Sequence, residues 1–329
     1  MSTPEIVTDG ARLATLCDAW RAAGRLAFDT EFIRDETFDA ALCLVQVSDG
    51  ENVVLVDPTG GLDVRPFWDL VCDPAVMTIV HAGKEDFEVC LRTTGQVPRN
   101  VFDVQIAAGL VGYDYPMSLS RLAEAVLRRR IAKGQTMTDW LRRPLTEEQL
   151  HYAVEDVAHL PAIYDRLQGK LRKHKREAWA AEEFERFEHA EFYRAPSEDR
   201  AQKLKGAKKL DGLGLAVLGR LVEWRDEWAQ SRNRPIRALM RDDVLVEIAR
   251  RRPTKADQLN IIRGFHQARN KQVVAGLLAA IEEAARTPPE DWPAPHQPRD
   301  ENPMTKAATD ILSAVMRGIC YEKDVAQEL

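Results

Sequence analysis

Between Arg25 and Pro58 the chain carries three short β-rich runs, RLAFDTEF, ALCLVQVSDG and NVVLVDP, joined by connections too short to hold a helix. Runs tied so closely pair as an antiparallel meander, and the segments SDGEN and DPTGG supply its turns. MTIVHA (77–82) reads as a fourth strand that feeds a helix, KEDFEVCLRTTG, stopped by Gly95. From Val101 to Leu171 the apolar spacing is helical: VFDVQIAAGLV, then SLSRLAEAVLRRR with Ser118 as N-cap, then a long run opening at Thr146. Strands followed by mixed strand and helix predict an α/β domain with a mixed sheet.

The first run holds an anomaly. Asp29 and Glu31 are two positions apart in a strand that otherwise reads as buried, so both side chains leave the same face. Two like charges held together repel unless a cation lies between them. The pair therefore calls for a metal, a basic partner or an exposed edge.

Composition narrows the setting. The 329 residues are 45% hydrophobic, which is ordinary for a soluble protein of two domains. No apolar run approaches a membrane span, and MSTPEIVTDGARLATL has the features of neither a signal peptide nor an anchor, so a cytoplasmic protein without membrane association is expected. The five cysteines are scattered with no CxxC spacing, which predicts reduced, mostly buried thiols and no zinc site. The net charge of -6 hides an asymmetry: residues 200–286 hold 19 Lys/Arg against 10 Asp/Glu, leaving the remainder at -15. An acidic piece and a basic piece of chain are thus distinct.

The expected organisation has five parts. Residues 1–171 form the α/β domain, and 172–207, strongly charged, form a solvated linker helix. Residues 208–287 form an all-α domain whose amphipathic segments are separated by Pro235, Pro253 and Gly264. Residues 288–303, rich in proline, form an extended linker, and 304–329 a C-terminal helical segment too short for a core of its own.

Two more acids complete a constellation. Asp86 lies early in the helix after the fourth strand, and Asp156 follows Tyr152 by four residues, on one helix face. Four carboxylates on rigid elements suit hard divalent ions such as Mg²⁺ or Mn²⁺. Two such ions form the clamp used in phosphodiester hydrolysis, beside which a phenol can orient the attacking water.

DTEF (29–32), HAGKEDFEV (81–89), FDVQIA (102–107) and TDWLRRPLTEEQLHYAVEDV (138–157) resemble, in order, the motifs of the ribonuclease D family of DEDD 3′-to-5′ exonucleases. LVEWRDEWAQSRNRP, DDVLVEIARRRPTKADQL and IIRG resemble the helical HRDC domain. The resemblance implies a ribonuclease H-like exonuclease domain with a mixed sheet, followed by an all-α HRDC domain. It implies metal ligands at Asp29, Glu31, Asp86 and Asp156, a catalytic tyrosine at Tyr152, two divalent cations and no organic cofactor. The substrate it implies is RNA with a free 3′ end, tRNA precursors above all, trimmed to nucleoside 5′-monophosphates. C-terminal residues 304–329 then read as an incomplete second HRDC-like domain. The same chemistry on DNA, or an inactive RNA-binding scaffold, are the alternatives.

Several residues admit two readings. His151 could replace Tyr152, but the two lie at different azimuths of the helix, so one alone faces the acids. Asp103 rivals Asp86, although a capping role suits it better. His81 reads as a hydrogen-bonded strand-end residue, and Glu85, Glu88 and Glu155 as solvated helix acids. Arg128, Arg129, Arg130, Lys133, Arg142 and Arg143, with Trp140 among them, read as a solvated face or as a phosphate track with an aromatic for stacking. Lys133, Trp140 and Arg143 are the RNA contacts expected from that track. In the second domain Trp224 and Trp228, four apart, are expected in the core, while Arg250, Arg251, Arg252 and Lys255 meet either RNA or water.

Overall fold

The computed structural model describes residues 4–33, 37–38, 40–131, 138–193, 196–296 and 302–329. Described residues within 1–33, 41–193 and 301–329 form one compact unit, and those within 34–40 and 194–300 form another. No helix among the described residues is long and apolar enough to cross a membrane.

The first unit is built on a six-stranded mixed sheet in the order β1-β4-β3-β2-β5-β6. Its strands are β1 (Glu5–Val7), β2 (Arg25–Ile33), β3 (Ala41–Ser48), β4 (Val53–Val56), β5 (Met77–Val80) and β6 (Val101–Asp103). The meander is present: β2 pairs antiparallel with β3, and β3 with β4. Parallel pairings extend it on both sides, β1 on β4 and β5 then β6 beyond β2. Residues 101–103, expected to open a helix, instead form β6. The helix starts at Val104, three residues later than expected, because Asp103 caps it by accepting from the Gln105 N–H at 2.8 Å.

Helices cover both faces. α1 (Gly10–Ala23), α2 (Arg65–Val71) and α3 (Lys84–Thr94) lie on one side. There Phe28 of β2 meets Phe67, Trp68 and Phe87 at ring-centroid distances of 5.3, 6.0 and 5.7 Å, all edge-on. α4 (Val104–Gly109), α5 (Leu119–Leu127), α6 (Glu147–Ala158), α7 (Leu160–His174) and α8 (Glu177–Glu185) complete the domain. α6 packs on β2, β3 and β4 from the opposite side. Strand alternation thus splits β2, sending Leu26, Phe28 and Thr30 towards α1–α3 and Asp29 and Glu31 towards α6.

The charged segment after Leu171 is not a solvated linker. α7 ends at Lys175 in the left-handed region, and the chain turns back through α8 and two 3₁₀ turns to Phe192. Phe184 stacks against Phe102 at 4.9 Å and Phe187 against Phe87 at 5.4 Å, so aromatic burial outweighs the charges between them.

The second unit is helical: α9 (Ser197–Lys203), α10 (Gly212–Ser231), α11 (Ile236–Leu239), α12 (Asp242–Arg251), α13 (Ala256–Asn260) and α14 (Lys271–Arg286). Leu215, Leu218, Leu221 and Val222 of α10 lie in one core with residues of α12 and α14. Trp224 and Trp228 pack against that core, as expected. The buried Arg225 ties α10 to the start of α12 through Met240 O at 3.0 Å and Asp242 Oδ1 at 2.7 Å. Arg250, Arg251 and Arg252 are paired with Glu247, Glu247 and Asp211, which neutralises much of that charge run. α15 (Pro303–Lys323) belongs to the first unit, where its last carbonyls accept from Arg176 and Ala326 N–H donates to Gly109 O.

Phe28 locks three helices to the strand that carries the acids. Phe28→Ala is expected to cost the first unit about 3–5 kcal/mol, seen as a lower denaturant midpoint at unchanged slope; a cost below about 1 kcal/mol would contradict this packing.

Candidate metal centre

The centre is assembled from a strand and a helix that the sheet holds in register. Asp29 opposes Gln46 and Glu31 opposes Leu44 across β2 and β3, and the ladder slips immediately after Glu31, leaving Cys43 as an extra residue. Such a bulge twists the strand locally and re-aims side chains. On the other side α6 opens with a capping box: Thr146 Oγ1 accepts from Gln149 N–H at 3.2 Å, and Gln149 Oε1 from Thr146 N–H at 2.9 Å. That fixed start sets the azimuth of Tyr152 and Asp156.

Asp29, Glu31 and Asp156 each offer a carboxylate oxygen within 4.8 Å of those of the other two, and all three are partly exposed. Burial and mutual repulsion hold their protons on. Burial, then the charges of Asp86, Asp156 and Glu31, raise Asp29 well above its ordinary value. Glu31 is pushed up to about 8 by burial and by Asp156 and Asp86. Asp156 rises to about 7, chiefly through burial, against the hydrogen bond that Tyr152 donates to it. Asp156 Oδ2 is buried with no hydrogen-bond partner. An orphaned hard oxygen beside two more carboxylates fits a divalent cation, which would supply the missing charge.

The fourth acid stands apart. Asp86, in the first turn of α3, is 7% exposed and accepts a hydrogen bond from Thr30, whose side chain leaves β2 on the face opposite Asp29 and Glu31. Its carboxyl is raised to about 7 by burial, against the Thr30 bond. Asp86 is therefore close enough to raise Asp29 and Glu31, yet its oxygens are not in the three-acid group. Asp103 is committed elsewhere: besides capping α4 it accepts from Ala82 and Gly83 N–H at 3.1 and 3.2 Å, shaping the turn into α3. His81 bonds Met117 O at 2.8 Å, a strand-end role.

Tyr152 and His151 separate as helix geometry requires. The Tyr152 hydroxyl meets Asp156, while His151 is exposed. Burial and the surrounding carboxylates push the phenol up, so it stays protonated. Glu155 is buried rather than solvated and lies 3.4 Å from His159.

Trp140 and Arg143 form a brace, not a strand-binding track. Trp140 is 7% exposed and packs on the Tyr152 ring with centroids 6.0 Å apart. The Arg143 guanidinium forks onto Asp57 at 2.5 and 2.8 Å and also donates to Trp140 O at 2.7 Å and Cys43 O at 2.8 Å. The bulge residue thus gives its carbonyl to the arginine, which joins β4, β3 and the approach to α6. Burial alone would raise Asp57, but Arg143 and Thr59 hold it below its ordinary value. Arg142 beside it is exposed, and Lys133 lies outside the described residues. Thr30 and Asp57 were not among the expected site residues. Thr30 had a signal, its place between the two acids, whereas Asp57 is 86 residues from its partner and had none.

Acids clustered beside a helical phenol on a mixed sheet define the class of 3′-5′ exonucleases. The family model described as 3′-5′ exonuclease matches residues 4–172, and the HRDC domain matches 214–281. Ribonuclease D of Pseudomonas paraeruginosa is 39% identical over 295 residues, covering 89% of this chain and 78% of that protein. Ribonuclease D of Nitrobacter hamburgensis is 33% identical, covering 99% and 85%. The crystal structure of Escherichia coli RNase D, an exoribonuclease involved in structured RNA processing, superposes with a TM-score of 0.82 at 29% identity, covering 99% and 86%. The chain belongs to the ribonuclease D family, and it is a 3′-to-5′ exoribonuclease.

The raised carboxyls fix a pH dependence. Folded Glu31 keeps its proton up to about 8, while an unfolded glutamate loses it near about 4.3. Between those values the folded state holds more protons, so this group lowers ion-free stability as pH rises. In excess chelator Glu31→Gln is expected to melt higher than the parent at pH 8, by several degrees, with the difference shrinking towards pH 5. A parent that melts higher, or a difference independent of pH, would overturn the assigned repulsion.

Proposed function

We propose that Asp29, Glu31, Asp86 and Asp156 hold two divalent cations, Mg²⁺ or Mn²⁺, and that Tyr152 positions the attacking water. The observation that carries this reading is the convergence of three carboxylate oxygens within 4.8 Å beside an orphaned Asp156 Oδ2. Bound there, such ions supply a lowered pKa for the attacking water and charge stabilisation for the leaving 3′ oxygen.

The protein's own groups do the rest. Asp29 and Glu31 sit on one of the two central strands of the sheet, so their oxygens hold position without loop ordering. Tyr152, kept protonated, donates to Asp156 and can orient a water by its oxygen lone pairs. Trp140 and the Arg143–Asp57 fork keep the phenol in place. Asp86, held by Thr30, acts from the other face of β2, and we assign it to the second ion.

The substrate we propose is the free 3′ end of tRNA precursors and other structured RNAs, cut one nucleotide at a time to nucleoside 5′-monophosphates in the cytoplasm. Two features support it: a centre that reads an end rather than a base sequence, and a basic HRDC segment beyond the exonuclease residues. The exonuclease domain is taken as residues 1–171 with the fold-back after it, and the HRDC domain as 208–287.

A 5′-labelled RNA with a single-stranded 3′ end tests this. In Mg²⁺ or Mn²⁺ it should shorten as a one-nucleotide ladder, and chelator should abolish the ladder. Asp29→Asn should abolish it too, and Tyr152→Phe should slow it by roughly 10²-fold or more, with His151→Ala near the parent. Loss in His151→Ala but not in Tyr152→Phe would reverse the water-positioning assignment, and a matched DNA cut faster than RNA would overturn the substrate.

A further inference from the structure

Two of the five cysteines that sequence scatters are brought together by the fold. Cys72 is the C-cap of α2 and Cys90 lies in α3, 18 residues later, yet their Sγ atoms are 3.6 Å apart. Cys90 is fully buried and Cys72 is partly exposed, so Cys72 is the member of the pair nearer solvent. The Thr94 hydroxyl sits beside both sulfurs, and its own bond to Cys90 O at 2.9 Å fixes it there. Cys17, Cys43 and Cys320 have no such thiol neighbour among the described residues. Cys90 follows Asp86 by four residues on α3, placing the dithiol one turn below that acid on the same helix face.

We propose that Cys72 and Cys90 are a modification site: a dithiol that hydroperoxides convert to a reversible disulfide, which ties α2 to the helix carrying Asp86. Cys72 is the residue that reacts first, because it is the one nearer solvent. Its thiolate attacks one peroxide oxygen, the O–O bond breaks, and the products are a Cys72 sulfenic acid and water or an alcohol. The Cys90 sulfur then attacks Cys72 sulfur, the S–O bond breaks, and a second water leaves with the Cys90 proton. Two thiols are oxidised by two electrons and one peroxide is reduced. Sulfurs already in contact need to approach by only about 1.5 Å to reach bonding distance, a shift that side-chain rotation and small helix movements can supply. A reducing cytosol reopens the bond by thiol exchange at Cys72.

The covalent step does not rest on the assignment of Asp86, whereas its effect on activity does, and the two are read separately. The full-length protein is treated with hydrogen peroxide under native conditions, unfolded in acid and alkylated. The expected result is three labelled cysteines of five, a mass lower by two hydrogens, and a linked peptide pair holding Cys72 and Cys90. Dithiothreitol should restore all five, and Cys72→Ser should label at Cys90 in both conditions. Five labelled cysteines after peroxide, a sulfinic acid at Cys72 with Cys90 still a thiol, or a bridge between other residues would each overturn the proposal. On the same samples, ladder activity should fall severalfold with oxidation in the parent, recover with dithiothreitol, and not fall in Cys72→Ser. A disulfide that leaves activity unchanged would refute the tie to Asp86 while leaving the nuclease reading intact.

Discussion

Three carboxylates pressed together in a partly buried site are the constraint around which the exonuclease unit is built. Ionised together, two such groups about 4 Å apart at an effective dielectric near 20 would repel by about 4 kcal/mol, comparable to a large part of a domain's net stability, and so they hold their protons. The chain keeps the acids close because neither element that carries them can retreat. β2 is paired on both edges and pinned by Phe28 among Phe67, Trp68 and Phe87. α6 is fixed at its start by the Thr146–Gln149 box and by the Arg143 fork onto Asp57. The orphaned Asp156 Oδ2 is the oxygen that the proposed cation would engage.

Strand alternation explains why the four acids are not equivalent. Asp29 and Glu31 leave β2 on the α6 side, while Thr30 between them leaves on the α3 side and takes hold of Asp86. One tripeptide therefore addresses both layers of the sandwich: two acids join Asp156, and a hydroxyl anchors the helix that carries the fourth. The bulge at Cys43 links the neighbouring strand β3 to the approach of α6, since the Cys43 carbonyl is bound by Arg143.

Much of this was legible in the chain. The meander follows from three alternating runs with short turns, and the metal-seeking pair from two acids on one strand face. The one-turn spacing of Tyr152 and Asp156 in α6 and the amphipathic helices of the second unit were equally plain. Other features left no local trace. β1 and β6 are three residues long, too short for a period of two to register, and both are held by parallel pairing with distant strands. The fold-back after Lys175 was masked by charge, although Phe184, Phe187 and Tyr193 are what buries it. Arg143 and Trp140 read as basic and aromatic residues near a binding site, and only the distant Asp57 and the Tyr152 ring reveal that they brace the centre. The Cys72–Cys90 contact was likewise hidden, because the two thiols meet only once α2 and α3 pack.

The central claim is that Asp29, Glu31 and Asp156 converge in order to hold a cation. Anomalous diffraction from crystals grown or soaked with Mn²⁺ measures it directly. A manganese peak at bonding distance from oxygens of all three residues, with Asp156 Oδ2 among them or turned to a bound water, is the predicted result. Crystals saturated with Mn²⁺ that show no peak between β2 and α6 would contradict the account.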